Sequence, residues 1–173
     1  MTDATARDKP FIIWTVQRTG GTNLTKSLVK LSSYAIEQEP FNRPRMYGHI
    51  TKAWDQNRDP DALRAAVQET TTGAHNVKHC VETIPWEVSE AILRSTNISI
   101  YNHLFLVRED SLPRLLSMEY AKRTNVWGPT HEAPDREADP AFETPLNVAQ
   151  LLKHETMSIE RLNRAWDSLL TSG

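Results

Sequence analysis

Residues 11–16 (FIIWTV) form a short, unbroken apolar run rich in β-branched and aromatic side chains. Such a run, closed by turn residues, predicts a strand buried on both faces, as in a parallel sheet. A polar, glycine-containing loop at 17–22 follows. Leu24, Leu28 and Leu31 then recur at helical spacing and predict a helix with those leucines on its inner face. Residues 34–37 predict a second short strand, whereas 41–57, with Pro44 and Gly48 and little periodicity, predict irregular chain. Asp59 and Pro60 supply an N-cap and a first-turn proline ahead of Leu63, Ala66 and Val67. Residues 74–80 predict a strand, 86–94 a helix, and HLFLV (103–107) another strand. Ser111 is placed to cap the next helix, with Pro113 in its first turn and Leu112, Leu115, Leu116 and Tyr120 facing inward. Residues 128–144 hold three prolines and several acids and predict a loop. Thr144 and Pro145 start a last helix, whose Leu151, Leu152, Ile159, Leu162, Trp166 and Leu169 form an apolar stripe suited to core packing.

Alternation of strands and helices predicts an α/β fold: a central, mainly parallel sheet flanked by helices, in one domain spanning residues 1–173. With 39% apolar and 24% charged residues, the chain has a globular balance that excludes wholesale disorder, collagen and coiled coil. Lys and Arg number 20 against 22 Asp and Glu, so no global charge draws the chain to nucleic acid or an acidic membrane. The one cysteine, Cys80, has no partner for an internal disulfide or a paired-cysteine zinc site. The N-terminus is polar, and no run approaches the roughly 20 apolar residues of a membrane span. These features predict a soluble, cytoplasmic protein with no nucleic-acid partner.

The loop after the first strand carries the chemistry. A strand, a glycine turn and a helix start bring backbone N–H groups together at the positive end of a helix dipole, a geometry that binds phosphate. Gly20 and Gly21 let the backbone approach a ligand closely, Thr19 and Thr22 add hydroxyl donors, and Arg18 adds a planar cation suited to sulfate or phosphate oxygens. A Walker A loop needs a lysine after its second glycine, and none stands there. The adjacent glycines also depart from GxGxxG, and a plain structural turn accounts for the loop taken alone.

RTGGTNL (18–24) resembles the 5′-phosphosulfate loop of sulfotransferases that use 3′-phosphoadenosine-5′-phosphosulfate (PAPS). The departure is Gly21, where many members carry Ser or Thr. HLFLVREDSLPRLLSMEYAKRTNVW (103–127) resembles the family's 3′-phosphate segment, with Arg108 and Ser117 at the matching positions, and is similar to the bacterial carbohydrate branch that includes trehalose and nodulation-factor sulfotransferases. EQEPFNRP (37–44) resembles the E-P-F-N element of that branch, where a glutamate is the proposed base. Glu39 matches it, with Glu37 as a nearby rival.

The resemblance implies a P-loop-like nucleotide-binding architecture. It places PAPS, as co-substrate, on Arg18, Thr19, Gly20, Gly21, Thr22 and Asn23, with Arg108 and Ser117 on the 3′-phosphate. Glu39 and Arg18 become the catalytic residues, and the acceptor is a carbohydrate-like or other small hydroxylated molecule. A metal is not expected, because the sulfuryl group carries less charge than a transferring phosphoryl group. The family pattern continues past the match to Leu170, whereas this sequence ends at Gly173, so a non-catalytic nucleotide-binding remnant stands as an alternative. A kinase-like phosphotransferase is another, at odds with the missing loop lysine. His75 and His79 stand four apart, a spacing open to a metal pair though no supporting acid is evident, and Lys78 is open to contact with an anionic ligand, with a solvated strand residue as the preferred reading. Cys80 and His79, adjacent on a strand, point to opposite faces and make no nucleophile–base pair.

Overall fold

The computed structural model describes residues 9–127 and 144–172. The first strand, β1 (Phe11–Thr15), runs into α1 (Gly21–Leu28), which closes in a 3-10 turn at Val29–Leu31. Then come β2 (Ile36–Gln38), α2 (Gly48–Asn57), α3 (Pro60–Thr71), β3 (Asn76–Cys80), α4 (Trp86–Leu93), β4 (Asn102–Leu106), α5 (Leu112–Thr124) and α6 (Val148–Ser172). The sheet order is β2-β3-β1-β4, and every pairing is parallel. The fold is therefore α/β, a four-stranded parallel sheet flanked by helices.

Register explains which side chains meet. Ile13 pairs with Lys78 and Trp14 with His79, so Lys78 and His79 project to opposite faces of the sheet. On one face Ile12, Trp14 and Val16 pack with Phe41, Trp54, Val67, Val88 and Leu162 in the main core. On the other, Thr15 and Lys78 lie beneath Gly21 at the start of α1. The chain leaves β1 toward the β2 edge and leaves β3 toward the β4 edge. Connections diverging in this way open a crevice at the carboxyl ends of the two neighbouring strands.

Several local signals act as read. The Asp59 carboxylate accepts from the N–H groups of Asp61 and Ala62 at 3.0 and 3.1 Å, capping α3. Others are overruled. Residues 41–57 hold α2, whose inward positions Ile50, Thr51 and Trp54 include a threonine that blurs the period. Its start is fixed by packing, because a Cβ on Gly48 would lie 2.4 Å from the carbonyl oxygens of both Asn42 and Arg43. α1 is too short to use Leu31, which is 83% exposed, and buries the small Gly21 and Thr25 instead. In α5 Leu112 and Leu116 are exposed, and the inner face carries Arg114, Leu115, Met118 and Ala121. Asp110, not Ser111, accepts the first helical N–H there, from Leu112 at 3.0 Å. α6 begins after Asn147, whose side chain accepts from Gln150 N–H, and it buries Ser158 and Ala165 while Leu152 and Trp166 are exposed. Apart from Thr144, the loop expected at 128–144 lies outside the described residues. Among the described residues no helix is long and apolar enough to cross a membrane.

Candidate functional site

The loop leaves β1 through two residues with left-handed backbone, Arg18 (φ 64°) and Gly20 (φ 90°), before α1 starts at Gly21. A Cβ at Gly20 would meet nothing within 4 Å, so glycine is favoured there for its backbone conformation. Among the described residues the N–H groups of Thr19, Gly20, Gly21 and Thr22 have no hydrogen-bond partner. They are the unpaired donors expected at a helix start.

The base of the loop is pinned on both sides. Gln17 N–H donates to Glu82 Oε1 at 2.6 Å, and Gln17 C=O accepts from Arg114 Nη1 at 3.1 Å. Ser158 Oγ donates to the other Glu82 oxygen at 2.5 Å, tying in α6. Arg114 also pairs with Glu82 at 3.7 Å and with Glu155; the Arg114 and Glu82 side chains are 1% and 5% exposed. Burial pulls the Arg114 guanidinium below its ordinary value while the Glu82 charge opposes the shift. Arg18 is held next: its Nε donates to Ser117 Oγ at 2.8 Å and its Nη1 to the Trp127 carbonyl at 2.9 Å.

Two hydroxyls that look alike in sequence part company. Thr19 is buried, and its Oγ donates to Val16 C=O at 3.0 Å and meets Thr15 Oγ at 2.6 Å. Only its backbone N–H remains for a ligand, which corrects its expected role as a hydroxyl donor. Thr22 is exposed at the helix start, and its Oγ accepts from Lys78 Nζ at 3.2 Å. Asn23 is exposed one residue further on, its N–H turned back to Gly20 C=O.

For Lys78 the preferred reading, a solvated strand residue, is overturned. Far from being solvated, its side chain is 11% exposed and runs under α1, where a Cβ on Gly21 would sit 3.2 Å from its Cε. Its Nζ reaches Glu39 Oε1 at 2.5 Å. An ammonium thus reaches the loop from the neighbouring strand, past the open side of a glycine. The available signal was a lysine in the middle of a strand destined for burial on both faces.

Glu39 follows β2 with φ 52°, a left-handed conformation in a non-glycine residue that precedes a proline. That geometry costs on the order of 1–3 kcal/mol and marks sites held by their surroundings. Here Glu39 N–H donates to Lys78 C=O at 2.8 Å, and Glu39 Oε2 accepts from Asn42 Nδ2 at 2.6 Å. Asn42 Oδ1 in turn accepts from Thr83 Oγ at 2.6 Å, which fixes the amide's orientation. The rival, Glu37, pairs in register with Val77 and lies on the other face of the sheet, lining a small cleft with Tyr47, His75 and Tyr101. Burial, with the Glu37 charge adding to it, pushes the Tyr47 phenol up.

Arg108 is exposed two residues beyond β4, whose Leu106 pairs with Thr15 of β1, so it shares the loop's end of the sheet. It has no hydrogen-bond or ion-pair partner among the described residues. Ser117 is engaged by Arg18 and not by Arg108.

The remaining candidates are structural. His79 is sealed in the core, with Nε2 2.9 Å from Ser89 Oγ and its ring edge-on to Trp14, and burial lowers its pKa to about 3. Burial also pushes the Cys80 thiol far up. Among the described residues no group of three or more His, Cys, Asp or Glu side chains converges to hold a metal ion.

The site therefore combines unpaired N–H donors, two cations from different elements and one hydrogen-bonded carboxylate at the carboxyl ends of β1 and β3. No protein-family model matches the chain, and no curated protein matches it.

Proposed function

We propose that the chain is a sulfotransferase that moves a sulfuryl group from PAPS to a hydroxyl of a carbohydrate-like or other small acceptor, on a P-loop-like nucleotide site. One observation carries this reading: a base candidate, Glu39, is joined through Lys78 to the hydroxyl of Thr22 at the unpaired N–H groups of the loop. An anion receptor and a proton acceptor lie side by side, as transfer to a hydroxyl requires.

The residues fit the donor. The unpaired N–H groups, Arg18 and Lys78 suit the 5′-phosphosulfate, and the open space over Gly20 leaves the backbone accessible to it. Ser117 Oγ accepts from Arg18, so its own proton is free to donate to a phosphate. Arg108, exposed at the same end of the sheet, is suited to the 3′-phosphate. PAPS supplies an activated sulfuryl group. In the step, the acceptor oxygen forms a bond to sulfur while the bond from sulfur to the bridging oxygen breaks. That bond's electron pair goes to the leaving 5′-phosphate. Arg18, Lys78 and the loop N–H groups stabilise the charge that develops there. Glu39 takes the acceptor proton.

A kinase-like phosphotransferase is the second reading, favoured by Lys78 standing where a loop lysine was missing. Thermal-shift titration separates the two. Stabilisation by adenosine 3′,5′-bisphosphate at lower concentration than by ATP with Mg²⁺ supports the sulfotransferase, and the reverse order rejects it. A panel of hydroxylated acceptors with labelled PAPS then tests transfer. Glu39→Gln is expected to bind nucleotide yet lose about 10²–10⁴-fold in rate, and full activity would remove Glu39 as the base.

A further inference from the structure

Lys78 touches two parts of the site that serve different reactants. Its ammonium has three protons to donate. One goes to Glu39 Oε1 at 2.5 Å and one to Thr22 Oγ at 3.2 Å, beside the unpaired loop N–H groups. The two contacts are unequal, since the shorter joins opposite charges and the longer joins the ammonium to an uncharged hydroxyl. The side chain is 11% exposed and runs past Gly21, where a Cβ would crowd its Cε at 3.2 Å. Glu39 Oε2 is separately held by Asn42, which Thr83 orients. The carboxylate is therefore positioned even when Lys78 lets go of Oε1.

We propose that Lys78 is a shared positioning residue that couples the two halves of the reaction. In the chain without nucleotide, Glu39 holds the ammonium as an internal counterion. An anionic donor seated on the loop draws the ammonium toward Thr22, and Glu39 Oε1 becomes free to receive the acceptor proton. Donor binding thereby exposes the base, and the resting ion pair keeps the carboxylate engaged until a donor is present. This inference rests on the sulfotransferase reading for the identity of the donor, but its physical content is a competition for one cation.

Such competition has a signature that simple repulsion lacks. If Glu39 only repels the incoming anion through space, Glu39→Gln improves binding equally whether or not Lys78 is present. If the two compete for Lys78, the improvement is larger when Lys78 is there to be released. The test is a double-mutant cycle of affinity for adenosine 3′,5′-bisphosphate, measured calorimetrically on the full chain with Glu39→Gln, Lys78→Met and both changes together. Lys78→Gln serves as a second variant should Lys78→Met fail to fold. The expected gain from Glu39→Gln is about tenfold with Lys78 present and about twofold without it. Equal gains in the two backgrounds, or no gain in the native one, overturn the proposal. A crystal structure of the bisphosphate complex gives a second readout: the Lys78–Glu39 contact opens beyond 4 Å, whereas an intact pair rejects the mechanism. Inorganic pyrophosphate is titrated in parallel. If pyrophosphate binds as tightly as the bisphosphate, the sulfotransferase reading fails while the cycle is still decided with pyrophosphate. If neither anion binds, the shared-cation proposal fails with it.

Discussion

Two ion pairs flank the loop and differ in what surrounds them. Arg114 with Glu82 is sealed, at 1% and 5% exposed, with Glu155 at 17% on its outer side, and the pair grips both backbone groups of Gln17. Lys78 with Glu39 is more open, at 11% and 22%, and touches the loop only through a side-chain hydroxyl. Both obey the same electrostatics, but a buried pair that loses one member leaves a charge with no water to solvate it. A partly exposed pair can exchange its partner for a ligand or for water. The first arrangement fixes where the loop stands, and the second is suited to respond when something arrives.

That contrast breaks most visibly at Arg114. Arg114→Met strands Glu82 and Glu155 and is expected to destabilise the fold by about 3–5 kcal/mol, read as a large drop in the urea midpoint. A mild loss would show that the sealed pair is no pin. Lys78→Met leaves Glu39 still held by Asn42, so it should cost clearly less stability than Arg114→Met, with bisphosphate affinity down about tenfold by calorimetry. Comparable stability losses for the two variants would erase the distinction. Acid sharpens it through a third sealed group. His79 has a folded pKa of about 3 against 6.5 for the free side chain, so the unfolded chain takes up a proton that the folded chain refuses. The stability this residue contributes is complete above pH 6.5 and is lost as pH falls toward 3. Chemical denaturation should show about 1 kcal/mol less stability at pH 5.5 than at pH 7 from this residue, and His79→Gln should flatten that segment. At the open extreme, Arg108→Ala is expected to leave the unfolding midpoint unchanged. It should weaken the bisphosphate about fivefold while sparing a nucleotide with only a 5′-phosphate. Equal losses for both nucleotides would remove the 3′-phosphate assignment.

What could be read from the sequence was what is contiguous in it. The apolar run of β1, the Asp59 cap and the glycine loop each carry their cause within a few residues. Arg114 on the inner face of α5 was hidden, because a period count assigns inward positions to apolar side chains. This arginine is tolerated there only by carboxylates brought in from the end of β3 and from α6. Lys78 was hidden for the same reason: its role depends on β3 lying next to β1 and on a missing Cβ in another element. The split between Glu37 and Glu39 follows from strand parity and a left-handed turn, and neither is marked in the residues themselves. Thr19 and Thr22 differ only in which way the backbone points them.

The lysine that passes beneath Gly21 also divides the proposed anion receptor between two inheritable pieces. Transplanting the segment RTGGTNL into another scaffold would carry over the amide donors and one guanidinium, while the ammonium stays behind with the third strand. A graft of the segment alone would carry half of the proposed receptor, and an alanine at position 21 would set its Cβ 3.2 Å from Lys78 Cε, so the lysine would have to shift by a few tenths of an ångström to make room.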